Sequence, residues 1–150
     1  RTLPLGKFIT GPRQTTIADN EILTAVLVPT KACGGVSNFE KLGARKYLVI
    51  SIAMVATRLV IEDGIIAESA LSVGSCSPIA KRLSDVESAL NNKPANTSAV
   101  AAVSNAMIQN VLSPINDIRA DASYRSTAAT ELVRRSLINL LPSDSTEAPA

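Results

Sequence analysis

The stretch Leu48-Val49-Ile50-Ser51-Ile52-Ala53-Met54-Val55-Ala56-Thr57-Arg58-Leu59-Val60-Ile61 runs into Glu62-Asp63-Gly64, and Ile65-Ile66-Ala67-Glu68-Ser69-Ala70-Leu71-Ser72-Val73 follows. The first run is apolar at odd and even positions alike, as a central strand covered on both faces requires. Periodicity leaves a helical first turn open, because a short apolar run fits either state. Asp63-Gly64 is the sharper signal: a two-residue hairpin loop needs positive φ at both positions, and Asp-Gly supplies it. Residues 65–73 then return antiparallel. Upstream, Ser37-Asn38-Phe39-Glu40-Lys41-Leu42 alternates in polarity and supplies a third, short strand. The three form a meander.

Beyond the meander the pattern changes to helical spacing. Ser77-Pro78 reads as an N-cap followed by proline at the first helical position. Ile79, Leu83, Val86 and Leu90 then share one face, and Asn91-Asn92-Lys93-Pro94 ends the helix. A second helix is predicted over 98–112, carrying Val100, Val103, Met107 and Val111, and stopping at Ser113-Pro114. A third is predicted over 122–141, with Ala128, Ala129, Leu132, Val133, Leu137, Leu140 and Leu141 as its stripe. The fold class is therefore α+β: a three-stranded antiparallel sheet packed against a three-helix bundle.

On the N-terminal side, Glu21-Ile22-Leu23-Thr24-Ala25-Val26-Leu27-Val28 is β-rich and stops at Pro29. Gly34-Gly35 marks a joint. The chain divides into residues 1–33, which hold that isolated strand, residues 34–141, and a small polar tail over 142–150 expected to be disordered.

Composition excludes more than it selects. The 150 residues are 46% hydrophobic and only 3% aromatic, with no Trp, so the core is aliphatic and no ring platform exists for stacked bases. A net charge of +2, without a basic stripe, nominates no nucleic acid. No run of about 18 apolar residues exists to span a bilayer. The absence of His removes the commonest general base and metal ligand, and with it a Ser-His-Asp triad or a His-containing zinc site. The two cysteines, Cys33 and Cys76, lack paired spacing and read as free thiols of a cytoplasmic protein. No P-loop or Gly-x-Gly-x-x-Gly fingerprint is present.

Local carboxylate pairs, Asp117 with Asp121 and Glu62 with Asp63, read as turn and capping groups. Arg134-Arg135 suits the C-terminal end of a helix dipole. Ser72, Ser75 and Ser77 around Cys76 lack a base and read as a strand end and a cap. Lys41 and Arg45 stand apart because they flank a Gly43-centred turn at a sheet edge. On composition and spacing alone they are a solvated face.

Four segments, taken in order, carry a family resemblance. They are Pro4-Leu5-x-x-Phe8-x-x-Gly11-x-Arg13-x-Thr15 with Glu21-Ile22-Leu23 and Val28-Pro29, then Phe39-Glu40-Lys41-Leu42-Gly43-x-Arg45-Lys46. Next come Gly64-x-Ile66, Ala70-Leu71, Gly74, Pro78, Arg82 and Val86-Glu87-x-Ala89-Leu90. The last is Asp117-Ile118-Arg119-Ala120-x-Ala122-x-Tyr124-Arg125 with Arg134-Arg135-x-Leu137. Together, over about residues 1–141, they resemble the C-terminal part of the FAD-binding medium subunit of molybdenum hydroxylases, the xanthine dehydrogenase and carbon monoxide dehydrogenase family.

The resemblance implies that residues 1–33 are the closing strip of an FAD-binding domain, with 21–28 as its last strand. Residues 34–141 become the flavoprotein C-terminal domain. It implies FAD as cofactor, with molybdopterin on a large partner subunit and [2Fe–2S] clusters on a small one, electrons passing from the clusters through FAD to an acceptor. Leu23 matches a position lining the flavin pocket, and Lys41 matches a lysine at the flavin. Arg45 begins a loop that lies beside the flavin in some members. Val49 and Ile50 stand where some members carry a shielding tyrosine, and Ala80 replaces a common second proline. The glycine-rich loops that hold the FAD pyrophosphate in the family are not among these residues. A second reading makes this segment a non-catalytic docking module that braces the flavin domain against the other subunits.

Overall fold

The computed structural model describes residues 1–142; the tail expected to be disordered falls, from residue 143 on, outside the described residues. The elements run α1 (Leu5–Phe8), β1 (Ile9–Gly11), β2 (Gln14–Thr15), a 3-10 turn (Thr30–Cys33), β3 (Val36–Gly43), β4 (Ser51–Glu62), β5 (Ile65–Gly74), β6 (Lys81–Arg82), α2 (Ser84–Leu90), α3 (Thr97–Ala101), α4 (Asn105–Gln109) and α5 (Ala122–Ile138). The main sheet has the order β3-β4-β5-β6, each neighbour antiparallel.

The hairpin forms as its sequence demands, but β4 begins at Ser51 rather than Leu48, and the second face expected to be covered is open at Ala56. Asp63 and Gly64 take φ of 49° and 75°, so the two-residue loop has the positive φ that a tight hairpin needs. β4 and β5 then pair from Glu62↔Ile65 to Met54↔Gly74, with one irregularity between Val60 and Ile61. Along β4, Ala53, Val55, Thr57 and Leu59 are buried while Ala56 is exposed, the period-two signature of a strand whose two faces differ. The buried face meets α5 on β4 and α2 on β5. Val55, Leu59, Ile66, Leu71, Val73, Leu83, Val86, Leu90, Val133 and Leu137 form one aliphatic core. Each fully buried Leu or Val there contributes about 1.5–3 kcal/mol.

Several expectations are corrected. The sheet has four strands rather than three, because residues 81–82, expected inside the first helix, pair with Val73 and Ser72. The Leu83 amide extends that contact by donating to the Leu71 carbonyl at 3.0 Å. Ser77 does not cap a helix: its hydroxyl donates to the Cys76 carbonyl and accepts from the Ser113 amide at 3.0 Å. The helix expected over 98–112 is two short ones. Ser104 breaks it by accepting from the Met107 amide at 3.3 Å, as serine does when it competes with helical bonding. With α1 among the described residues, five helices replace the expected bundle of three.

The strand expected over 21–28 does not form. Residues 21–29 belong to no strand, since nothing among the described residues pairs with them. No helix of the described residues is long and apolar enough to cross a membrane.

Candidate functional site

β3 carries the residues that sequence singled out, and its alternation sorts them. Glu40 points to the helix side, where its Oε1 accepts from Asn139 Nδ2 at 2.9 Å and from Asn38 Nδ2 at 3.1 Å. Its neighbours Phe39 and Lys41 must then lie on the opposite face. There the register aligns Phe39, Ala56, Ser72 and Arg82 in one row, and Lys41, Met54 and Gly74 in the next. A shallow groove of about 590 Å³ runs over this face, lined by Phe39, Ala56, Arg58, Ala70, Ser72 and Arg82. Its guanidinium groups are engaged: Arg58 with Glu68 and the Gly34 carbonyl, Arg82 Nε with Glu87 at 2.8 and 3.0 Å.

Beyond Gly43 the ladder slips between Leu42 and Gly43, and residues 44–50 form a loop. Lys41 Nζ donates to the Val49 carbonyl at 3.0 Å, and Arg45 donates to the Leu48 carbonyl at 2.6 Å. Lys41 belongs to none of the ion pairs of the described residues. The Lys46 ammonium sits 5.2 Å from the Tyr47 ring centre. Leu48 is held at φ 49°, a region that Leu rarely adopts, and is 93% exposed. Two cations therefore fasten the loop by its own carbonyls, and apolar side chains point outward from it.

Leu23 lies among residues 21–29, outside any helix or strand, and is 57% exposed. Among the described residues the backbone groups of residues 22–28 make no hydrogen bond, and Ile22, Val26, Leu27 and Val28 are exposed as well. The segment is anchored at its start, where Arg1 holds the Glu21 carboxylate at 2.7 Å and lowers its pKa to about 2, helped by the Ala18 amide. No hydrogen bond or shared cavity wall among the described residues brings Leu23 and Lys41 together.

Two carboxylates that sequence reasoning set aside as structural, Asp117 and Asp121, are so engaged. Asp121 caps α5 by accepting from the Tyr124 amide at 2.7 Å. Asp117 accepts from the Arg119 amide at 2.9 Å and from its guanidinium, which lowers its pKa to about 2. Arg134 donates to Asn105 at 2.8 Å and to the Val103 carbonyl, a contact beyond the helix-dipole role expected of it. Arg125, unremarked from spacing alone, is 1% exposed and donates to the carbonyls of Ile52, Ile115 and Ser75. Its sequence neighbours Ser123, Tyr124, Ser126 and Thr127 are polar and give no sign that it is buried. No cluster of potential metal ligands occurs among the described residues.

Residues 39–140 match the CO dehydrogenase flavoprotein C-terminal domain. The chain is 32% identical over 139 residues to the nicotine 6-hydroxylase medium subunit of Paenarthrobacter nicotinovorans, spanning 92% of this chain and 47% of that one. It is 29% identical over 137 residues to the carbon monoxide dehydrogenase medium chain of Hydrogenophaga pseudoflava, spanning 91% and 47%. A solved structure of carbon monoxide dehydrogenase from the same organism superposes with a TM-score of 0.82 at 29% identity, over 94% of this chain and 48% of that one. The chain thus spans about half the length of the curated relatives it matches. By the match over residues 39–140, the chain belongs to the CO dehydrogenase flavoprotein C-terminal domain family.

Proposed function

We propose that this chain is the C-terminal part of an FAD-carrying medium subunit, which takes electrons from iron–sulfur clusters and passes them through FAD to an acceptor. The observation that carries the reading is the superposition with carbon monoxide dehydrogenase at a TM-score of 0.82 over 94% of the chain, joined to medium-subunit relatives. On this reading residues 1–33 belong to an FAD-binding domain and residues 34–141 form the C-terminal domain. The partners are the rest of that FAD-binding domain, a molybdopterin-binding large subunit and a small subunit with [2Fe–2S] clusters.

The residues present suit one edge of FAD rather than the whole molecule. No glycine-rich loop is available to cradle a pyrophosphate. What is available is a backbone around Leu23 whose amides and carbonyls are unpaired among the described residues, and a cation at Lys41 with no counter-ion among them. Bound FAD supplies the electron exchange that these side chains lack.

The Lys41 ammonium donates one of its three N–H groups to the Val49 carbonyl, so two remain to meet an acceptor on the ring. A cation beside the pyrimidine edge of the flavin stabilises the ring when it carries negative charge after reduction. Leu23 contributes an apolar wall and its own peptide groups.

The test uses the full-length subunit produced with its partner chains. Chromatography of the released cofactor should identify FAD at one per medium subunit, and native mass spectrometry should find three kinds of chain. A full-length subunit that holds no flavin overturns the reading. Flavin present without any partner chain overturns the heteromeric part alone.

A further inference from the structure

We propose that Gly43 and Val49 are positioning residues for Lys41: the missing side chain at Gly43 lets Val49 pack close enough for its carbonyl to hold the ammonium. The inference rests on the assignment of Lys41 to the flavin edge and goes beyond it to what fixes the charge there.

A lysine ammonium is a point charge on a flexible four-carbon stem, with no built-in orientation. Its effect on a neighbour falls with distance, so a wandering lysine tunes a cofactor poorly. Here Nζ donates at 3.0 Å to the carbonyl of Val49, eight residues on and across the loop. The location of that carbonyl depends on Gly43. A Cβ built at Gly43 would lie 2.5 Å from Val49 Cγ1 and 3.5 Å from the Arg45 carbonyl oxygen. The first distance is closer than carbon atoms tolerate, so Val49 would have to move. The slip in register between Leu42 and Gly43 turns the chain at the same point. On the far side, Arg45 holds the Leu48 carbonyl at 2.6 Å, next to the peptide that Lys41 grips. The Val49 peptide is thus fixed by side-chain packing on one side and by a second cation on the other.

Gly43 is not among the positive-φ residues, so alanine there imposes the steric contact without the cost of a left-handed backbone. That makes a clean experiment on the full-length, flavin-loaded subunit in its complex. Flavin midpoint potential and flavin content are measured for Lys41→Met, Gly43→Ala, Val49→Ala and the double variant Gly43→Ala with Val49→Ala. Lys41→Met should lower the potential. Gly43→Ala should lower it in the same direction by a smaller amount, with flavin retained. Val49→Ala keeps the carbonyl but loses the side-chain packing, and should lower the potential less than Gly43→Ala does. In the double variant the clashing methyl is gone, so the potential should rise back to that of Val49→Ala.

A parental potential in Gly43→Ala, with Lys41→Met lowered, overturns the positioning role and leaves the Lys41 assignment standing. An unmoved potential in Lys41→Met overturns that assignment, and this inference with it. If Gly43→Ala fails to load flavin, the double variant must still recover both potential and content to the level of Val49→Ala. Failure to recover them shows that the contact with Val49 is not the cause, and overturns the proposal.

Discussion

Arg125 on α5 donates from Nε to the Ile52 carbonyl at 3.2 Å, tying the last helix to the start of the central strand 73 positions away. The same guanidinium reaches the Ile115 carbonyl at 2.8 Å, the Ser75 carbonyl and, at 3.4 Å, Asp117. A planar fork of five donors can serve several acceptors at once, which an ammonium or an apolar chain cannot. Arg125→Met retains much of the stem's packing but leaves those carbonyls without a donor. Each such loss costs about 1–3 kcal/mol. Urea denaturation should therefore show Arg125→Met destabilised by about 3 kcal/mol or more, with Arg125→Lys intermediate. A change under about 1 kcal/mol would mean that water replaces the guanidinium without loss.

Asp117 gives the fold an acid-sensitive joint. Hydrogen bonds from the Arg119 guanidinium and amide lower its folded pKa from 3.8 to about 2. A depressed carboxylate stabilises the folded state fully above its unfolded pKa, and the contribution disappears as pH falls through the folded value. The stabilisation should be intact above about pH 4 and gone near pH 2. Thermal melts of parent and Asp117→Asn from pH 5 to pH 2 check this: the gap between them should close as pH falls. Curves that descend in parallel across that range would rule the joint out.

What sequence revealed and what it hid follow from the range of the forces involved. The hairpin was legible because Asp63 and Gly64 are chosen by local φ, a property of two residues. Leu83, Val86 and Leu90 were legible as a buried stripe because helical spacing is local too. The start of that helix is hidden, since Ser77-Pro78 is a good local cap but pairing of residues 81–82 with β5 wins. The break at Ser104 is hidden because the apolar residues keep helical spacing on both sides of it. The strand over 21–28 was read from composition, yet a strand needs a neighbour and none lies among the described residues. Lys41 was found through a motif, whereas its bond to Val49 depends on a loop closure that no spacing rule encodes.

The two thiols should behave unlike each other. Cys33 is exposed, whereas Cys76 is fully buried, and burial raises its pKa, outweighing the pull of Arg125. The thiolate is the reactive form, so burial and a raised pKa both slow the reaction. Under native, non-reducing conditions a thiol reagent should label one cysteine promptly, mapping to Cys33, and the second only after denaturant is added. Prompt labelling of both would mean the core around Cys76 opens readily. Neither reacting after denaturation would mean a bridge.

The chain of residues 1–150, expressed without further sequence, should be colourless. FAD is held in large part through its pyrophosphate, and the device for that is a glycine-rich turn or helix start presenting several backbone amides. The seven glycines here do not assemble one. Gly34-Gly35 comes closest as a pair, but Gly35 is pressed against the Leu59 carbonyl of β4, where a Cβ would stand only 2.2 Å away. Its role is close backbone packing. On the proposed reading, what remains for a flavin is one edge, supplied by the segment around Leu23 and by Lys41. The free backbone of residues 22–28 needs a strand partner before it can hold its shape against a ligand. Visible absorbance after purification in the presence of excess FAD, followed by gel filtration, gives the readout. Flavin well below one per chain is expected. A stoichiometric yellow complex would mean that these residues suffice for binding without a glycine-rich phosphate loop.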